Sequence, residues 1–331
     1  MAESKKKRLT ATAYTQGILA GDRITLSRAI TLVESYLPTD QALAQEVMAA
    51  ILPYTGQSVR VGITGVPGVG KSTFIETFGQ HLTSLPKKMA VLTIDPSSQR
   101  SKGSILGDKT RMETLSHDPL AYIRPSPAGT SLGGVTRKTR EAMLLCEAAG
   151  FEIILIETVG VGQSETAVRG MVDFFLLLML AGAGDELQGI KKGIMEMADA
   201  IAITKADGSN MQRAKLAQGE YQHALHLFPP AESGWYPSVV TCSALENTGL
   251  ADIWQLVERH HARMQQNGFF VTNRQQQQLQ WMHETAQQLL QEHFYNHTDV
   301  KAVLAQISAD VQAGKVPATN AAFQLLQLYR Q

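Results

Sequence analysis

Apolar positions along this chain pass through three regimes. Over residues 1–57 they recur at helical spacing, with Ile24, Ile30, Leu32 and Val33 repeating along one helix, Asp22 placed to cap it and Pro38 expected to end the segment. A second helix is predicted through Leu43, Val47 and Ile51, closing at Pro53 and Gly56. From 58 to 267 short apolar runs alternate with helical stretches. The runs fall at 59–63, 90–94, 153–156, 174–179, 200–203 and 239–242. Several are continuous rather than alternating, as in strands covered by helices on both faces. Strand and helix in alternation predict an α/β fold with a mostly parallel sheet. From 268 to 331 the strand pattern disappears. Leu279, Met282, Ala286, Leu289 and Leu290 recur at three- and four-residue steps, then Val300, Val303, Leu304, Ile307 and Val311, then Phe323, Leu325, Leu326 and Tyr329. The glutamines at 275–278 fit the polar face of such a helix. The division expected is therefore an N-terminal helical extension (1–57), an α/β domain (58–267) and a C-terminal helical arm (268–331). The two extensions suit partner or dimer surfaces, or simply cover the core.

Composition narrows the class. Of 331 residues, 44% are hydrophobic and 18% charged, enough for a substantial core. Lys and Arg number 30 against 30 Asp and Glu, so no whole-molecule attraction to nucleic acid or an anionic membrane is expected. The basic run Lys5-Lys6-Lys7-Arg8 reads as a solvated tail. Cys146 and Cys242 sit in apolar contexts and are expected as small core residues, not a disulfide, and no metal-ligand spacing surrounds them. No apolar stretch follows the basic N-terminus, and the strongest apolar run, 174–181, is too short to span a bilayer. A cytoplasmic protein without a membrane segment is expected.

The chemistry begins at Gly65-Val66-Pro67-Gly68-Val69-Gly70-Lys71-Ser72-Thr73, which follows the first predicted strand and opens a helix through Phe74, Ile75 and Phe78. Gly, four residues, then Gly-Lys-Ser is the P-loop pattern in the structural context it requires. Glycines let successive N–H groups face the β-phosphate, and the helix N-terminus adds positive potential. Lys71 is expected on the β- and γ-phosphates, the Ser72 hydroxyl on Mg²⁺, and Thr73 near the α-phosphate.

Three acidic positions follow. Asp95 ends the second strand, where open α/β sheets bind ligands, and is a candidate for the Mg²⁺ shell or the attacking water. Glu157, with Gly160 three residues on, stands where many GTPases carry Asp-x-x-Gly, an acid for the metal and a glycine N–H for the γ-phosphate. Asp108 is a further candidate that also reads as a helix cap. The base site is expected at Thr204-Lys205-Ala206-Asp207, after another buried strand. An Asp there accepts from the guanine ring N–H and amine, whereas adenine would leave it unpaired. Lys205 is expected to pack its stem across the base, and Ser243-Ala244-Leu245 to meet the guanine O6 through backbone N–H. Thr204 stands where GTPases usually place an Asn that ties this loop to the P-loop, so looser base binding is expected.

Together, the P-loop, Asp95-Pro96-Ser97-Ser98, Gly107-Asp108-Lys109-Thr110-Arg111-Met112, Glu157-Thr158-Val159-Gly160-Val161-Gly162-Gln163-Ser164-Glu165 and Thr204-Lys205-Ala206-Asp207 resemble the MeaB/ArgK family of GTPases, nearest its ArgK members, over nearly the whole chain. Glu157 and the segment Gly184-Asp185-Glu186-Leu187-Gln188-Gly189-Ile190-Lys191-Lys192-Gly193 are specific to that resemblance. It implies a P-loop NTPase sheet with helices on both faces, flanked by helical extensions, and GTP or GDP with Mg²⁺ as cofactors. It also implies a homodimer built partly through the C-terminal helices. The implied partner is an adenosylcobalamin-dependent methylmalonyl-CoA mutase, whose cofactor loading and protection the GTPase gates. Lys71, Ser72, Asp95, Asp108 and Glu157 would take the phosphate, metal and switch roles, and residues 185–192 would form a switch touching the partner. No water-positioning Gln or arginine finger is obvious, so slow turnover is expected, with Gln163, Arg111 or the 188–192 segment completing the site with the partner. Two other readings remain. A metallochaperone GTPase would need His or Cys clusters, yet the nine histidines are scattered, and His260-His261 reads as a solvated pair. An ATP-dependent kinase linked to basic amino-acid transport would prefer ATP.

Overall fold

Continuous apolar runs become parallel strands because both faces of each strand are covered. The computed structural model describes residues 8–94, 112–125, 132–158, 164–182, 192–229 and 231–330. Its strands are β1 (Val59–Gly65), β2 (Met89–Ile94), β3 (Ala121–Arg124), β4 (Ile153–Thr158), β5 (Phe174–Leu180), β6 (Ala200–Thr204) and β7 (Ser238–Thr241). They form one sheet in the order β3-β2-β4-β1-β5-β6-β7, every pairing parallel. All residues of β2, β4 and β6 are buried. β3 is the strand that periodicity does not reveal. Four residues between Pro119 and Pro125 pair with β2 alone at the sheet edge, and only Ala121 and Tyr122 are buried.

Alternate strand residues feed two apolar layers. Val61, Ile63, Leu155, Phe174, Leu176 and Leu178 pack with Phe74 and Phe78 of α4 (Lys71–Ser84) and, further along the chain, Ile253 and Trp254. On the other face Leu177, Met179, Ile201 and Ile203 pack with Ala214, Ala217 and Tyr221. These period-two faces bury both sides of the central strands.

The N-terminal region holds three helices, α1 (Ala11–Leu19), α2 (Arg23–Val33) and α3 (Pro38–Ile51). α1 is additional to the periodicity reading. Asp22 caps α2 by accepting from the Ile24 and Thr25 N–H groups, as expected. Pro38 does not end that helix. It is the first residue of α3, where its missing N–H costs nothing. Arg8 is not simply solvated either, since its guanidinium pairs with the buried Asp40 at 2.6 Å.

In chain order the remaining helices are α5 (Glu113–His117), α6 (Leu132–Ala148), α7 (Ser164–Arg169), α8 (Lys192–Met197), α9 (Met211–Leu225), α10 (Leu250–Gln266), α11 (Phe269–Asn296), α12 (Thr298–Gln312) and α13 (Ala318–Tyr329). Two compact units result, residues 1–277 and 278–331. In the second, His293, Phe294 and His297 surround the Tyr329 ring, and Leu279, Met282, Leu289, Leu290 and Phe323 are exposed. No helix among the described residues is long and apolar enough to cross a membrane.

Buried ions pin the sheet's far edge. Arg60 on β1 donates to both carboxylate oxygens of Glu147 at 2.7 and 3.0 Å. Asp173 accepts from the Arg60 N–H and, twice, from Arg274. His260 also departs from expectation. It is buried, edge-on to Phe174 and Trp235 with Asp199 at 3.8 Å, and burial lowers its pKa despite that carboxylate. His261 is partly covered and stacks edge-on with Phe270.

Burial raises the pKa of Glu147, but the Arg60 hydrogen bonds and charge outweigh it and hold the carboxyl below its ordinary 4.5. A depressed folded-state value means the pair stabilises fully above that pH, and its contribution is lost as pH falls through the folded value. Glu147→Ala leaves Arg60 buried without its partner and should cost about 3–5 kcal/mol in urea denaturation at pH 7. The difference from the parent protein should shrink as pH drops below 4.5.

Candidate functional site

Parallel register brings the ends of β1, β4, β6 and β7 to one edge of the sheet, where open α/β folds bind ligands. β1 runs directly into the glycine loop. Gly68 and Gly70 adopt left-handed φ angles of +77° and +89°, which a side chain would strain. The Phe74 N–H then donates to the Gly70 carbonyl at 2.8 Å, starting α4. Val69 is buried beneath the loop, while Val66 is partly buried and Pro67 is exposed. Lys71 Nζ donates to the Gly65 carbonyl at 2.8 Å, folding its ammonium back over the loop. Burial lowers the pKa of Lys71, and the carboxylates of Glu157 and Glu165 oppose that shift.

Glu157 is buried on β4, in register with Ile63 of β1 and Thr93 of β2. Its Oε1 lies 3.5 Å from Ser72 Oγ, a long contact rather than a firm hydrogen bond. Two hard oxygen donors at the loop's mouth suit Mg²⁺, which takes carboxylate and hydroxyl oxygens and keeps several waters. Beside them the Thr158 hydroxyl donates to the Thr64 hydroxyl at 2.8 Å, locking β4 to β1 just below the loop. Asp95, Asp108, Arg111, Gly160, Gln163 and residues 185–191 lie outside the described residues.

The expected base site lies at the ends of β6 and β7. Thr204 Oγ1 donates to the Val69 carbonyl at 3.0 Å and approaches the Met179 carbonyl at 3.3 Å. The tie expected to weaken with threonine at this position is therefore present, made by a hydroxyl instead of an amide. Lys205 adds a second tie, donating from Nζ to the Gly68 carbonyl at 2.9 Å. Its backbone is left-handed at φ +56°, a conformation costly for a side-chain-bearing residue, and Asn210 Nδ2 holds it by donating to the Lys205 carbonyl at 2.7 Å. Ser243 Oγ donates to Asp207 Oδ2 at 2.5 Å and also accepts from the Glu246 N–H. Paired Ser243–Thr248 backbone bonds close the loop carrying Ala244 and Leu245. These elements enclose a cavity of about 270 Å³ lined by Gly70, Thr73, Thr204, Lys205, Asp207, Ala244 and Leu245, among others. Pockets for whole drug-sized ligands span ~300–1,000 Å³, so this space suits a base with its phosphates outside over the loop.

Geometry thus gathers Lys71, Ser72 and Glu157 at the phosphate end and Lys205, Asp207, Ser243, Ala244 and Leu245 at the base end. Two participants escaped the sequence reading. Glu165, buried at the start of α7, reaches Lys71 electrostatically, and Thr77 donates from α4 to the Ala244 carbonyl at 3.4 Å. Glu165 stands inside the segment that carried the family resemblance, yet nothing local marks it as buried.

A glycine-rich phosphate loop on β1, together with a base pocket on β6 and β7, defines a P-loop GTPase. Comparison with known proteins makes this specific. The family model described as methylmalonyl Co-A mutase-associated GTPase MeaB matches residues 26–299. GTPase ArgK of Escherichia coli is 47% identical over 279 residues, 84% of each chain. A mouse protein described as methylmalonic aciduria type A homolog, mitochondrial, is 44% identical over 336 residues, covering 98% of this chain and 81% of that one. The crystal structure of an LAO/AO transport system kinase superposes with a TM-score of 0.75 at 37% identity, over 98% of this chain and 99% of that one. This chain belongs to the MeaB family of GTPases.

Thr204→Val keeps the shape of the side chain and deletes its hydroxyl. GTP affinity, read by displacement of a fluorescent guanine nucleotide, should fall about fivefold, as for the loss of one hydrogen bond of ~1 kcal/mol.

Proposed function

We propose that this GTPase is an accessory chaperone of an adenosylcobalamin-dependent methylmalonyl-CoA mutase, its nucleotide state gating loading of the cofactor and protection of the loaded enzyme. The observation that carries this reading is membership, across residues 26–299, of a family described as associated with that mutase. Within the cycle, Lys71 would leave the Gly65 carbonyl to bridge the β- and γ-phosphates. Ser72 and Glu157 would hold Mg²⁺, with Asp95 and Asp108 as further acidic groups for the metal or the attacking water, and the Gly160 N–H would read the γ-phosphate. Bound Mg²⁺ neutralises charge on the phosphate oxygens during transfer. The loop N–H groups from Gly65 to Thr73 would cradle the phosphates. Asp207, oriented by Ser243, would accept from the guanine ring N–H and amine while the Lys205 stem covers the base and the Ala244–Leu245 backbone meets O6.

The remainder of the reading is a homodimer built partly through the C-terminal helical arm, 268–331, supported by the exposed Leu279, Met282, Leu290 and Phe323. Residues 185–192 would act as the switch facing the mutase. Free, buried Cys146 and Cys242 fit a reducing compartment, and the cytoplasm is the one this reading takes.

Asp207→Asn should shift preference from GTP towards XTP, because an amide can donate to the xanthine 2-oxo group. Unchanged GTP affinity would show that Asp207 does not read the base, and tighter ATP than GTP binding by the parent protein would favour a kinase. Co-purification with the mutase under defined nucleotide states, with complex mass from light scattering, tests the partner and the dimer together. Association in one nucleotide state and faster GTP turnover with mutase are expected. No association and unchanged turnover at micromolar mutase would refute the chaperone reading.

A further inference from the structure

The strands that carry the phosphate loop and the buried acid part at one point. Paired residues of β1 and β4 run as far as Ile63 and Glu157. One residue further on, β4 is still paired with β2, Thr158 opposite Ile94. At the same level β1 is paired with β5, Thr64 opposite Leu177, just before the phosphate loop opens at Gly65. Each strand is thus held on its outer side while a gap begins between them.

A side-chain bond closes that gap. Thr158 Oγ1 donates to Thr64 Oγ1 at 2.8 Å, and the two residues are 0% and 1% exposed. Side chains alternate along a strand, so this bond lies on the face of the sheet away from the Glu157 carboxylate. What it holds is backbone spacing. Glu157 immediately precedes Thr158, and Gly65, whose carbonyl accepts from Lys71 Nζ, immediately follows Thr64. Across the same gap Glu157 Oε1 stands 3.5 Å from Ser72 Oγ.

Mg²⁺ demands near-ideal octahedral geometry with its oxygens at ~2.0–2.1 Å, so the spacing of its donors matters. An apolar pair would fill the same space, but apolar contact is non-directional and sets no fixed separation. We infer that Thr64 and Thr158 are positioning residues of the GTPase site. Their hydroxyl bond sets the distance between the acid on β4 and the phosphate loop on β1, and with it the strength of Mg²⁺-dependent nucleotide binding. This rests on the proposed assignment of Mg²⁺ to Ser72 and Glu157.

The test compares GDP affinity of the full chain in Mg²⁺ and in excess EDTA, read by displacement of a fluorescent guanine nucleotide, alongside urea denaturation. Mg²⁺ should tighten GDP binding by the parent protein, and Glu157→Gln should remove most of that gain. Thr64→Val and Thr158→Val should each shrink the gain about fivefold, with affinity in EDTA unchanged. Each single change also strands one buried hydroxyl and lowers stability, whereas the two together strand none. The double variant should therefore recover stability yet keep the weakened Mg²⁺ response. A merely structural bond predicts that the Mg²⁺ gain returns with stability, and that result would overturn the proposal. A full gain in either single variant, with Glu157→Gln still impaired, would remove the positioning role alone. A full gain in Glu157→Gln would remove the metal assignment and the positioning role with it.

Discussion

Every feature of the nucleotide edge depends on β1 lying in parallel register between β4 and β5. That register places Gly65 at the start of the phosphate loop, Glu157 opposite Ile63 and Thr158 level with the loop's base. Because all six pairings are parallel, the ends of β6 and β7 reach the same edge, and the loops carrying Asp207 and Ser243 stand beside the phosphate loop. A one-residue slip of β4 would turn Glu157 to the opposite face and remove it from Ser72.

Short hydroxyl side chains hold this edge together. Thr158 to Thr64, Thr204 to Val69 and Ser243 to Asp207 each join one loop or strand end to the next across 2.5–3.0 Å. Their span is short and their rotamer cost small, so the loops are positioned by groups that need little room. Lys71 and Lys205 instead rest on carbonyls of the phosphate loop. Ammonium groups on flexible stems are held there by single hydrogen bonds rather than by a rigid fork of donors.

The opposite edge of the sheet is held by charge rather than hydroxyls. Arg60, Glu147, Asp173 and Arg274 form a buried network linking β1, α6, the residue preceding β5 and α11. His260 shows the complementary solution, a titratable ring buried among aromatics with its pKa lowered. Both arrangements rest on contacts between residues far apart in the chain.

Much of the fold could be read from local pattern. Short apolar runs identified six of the seven strands among the described residues, helical spacing located most of the flanking helices but not α1, and Gly-x-x-x-x-Gly-Lys-Ser marked the phosphate loop. These are short-range signals, because strand burial, helix periodicity and a glycine turn are each written within a dozen residues. What needed tertiary structure was always a partnership across distance. β3 is too short and too exposed to announce itself, and it exists because β2 offers an edge. The partner of the Thr204 hydroxyl, the Val69 carbonyl, lies far back along the chain and is brought to it only by the fold. His260 looked solvated until Trp235 and Phe174 closed over it. A side chain's type is local, but its burial, its charge balance and its hydrogen-bond partner are set by whatever the fold brings against it.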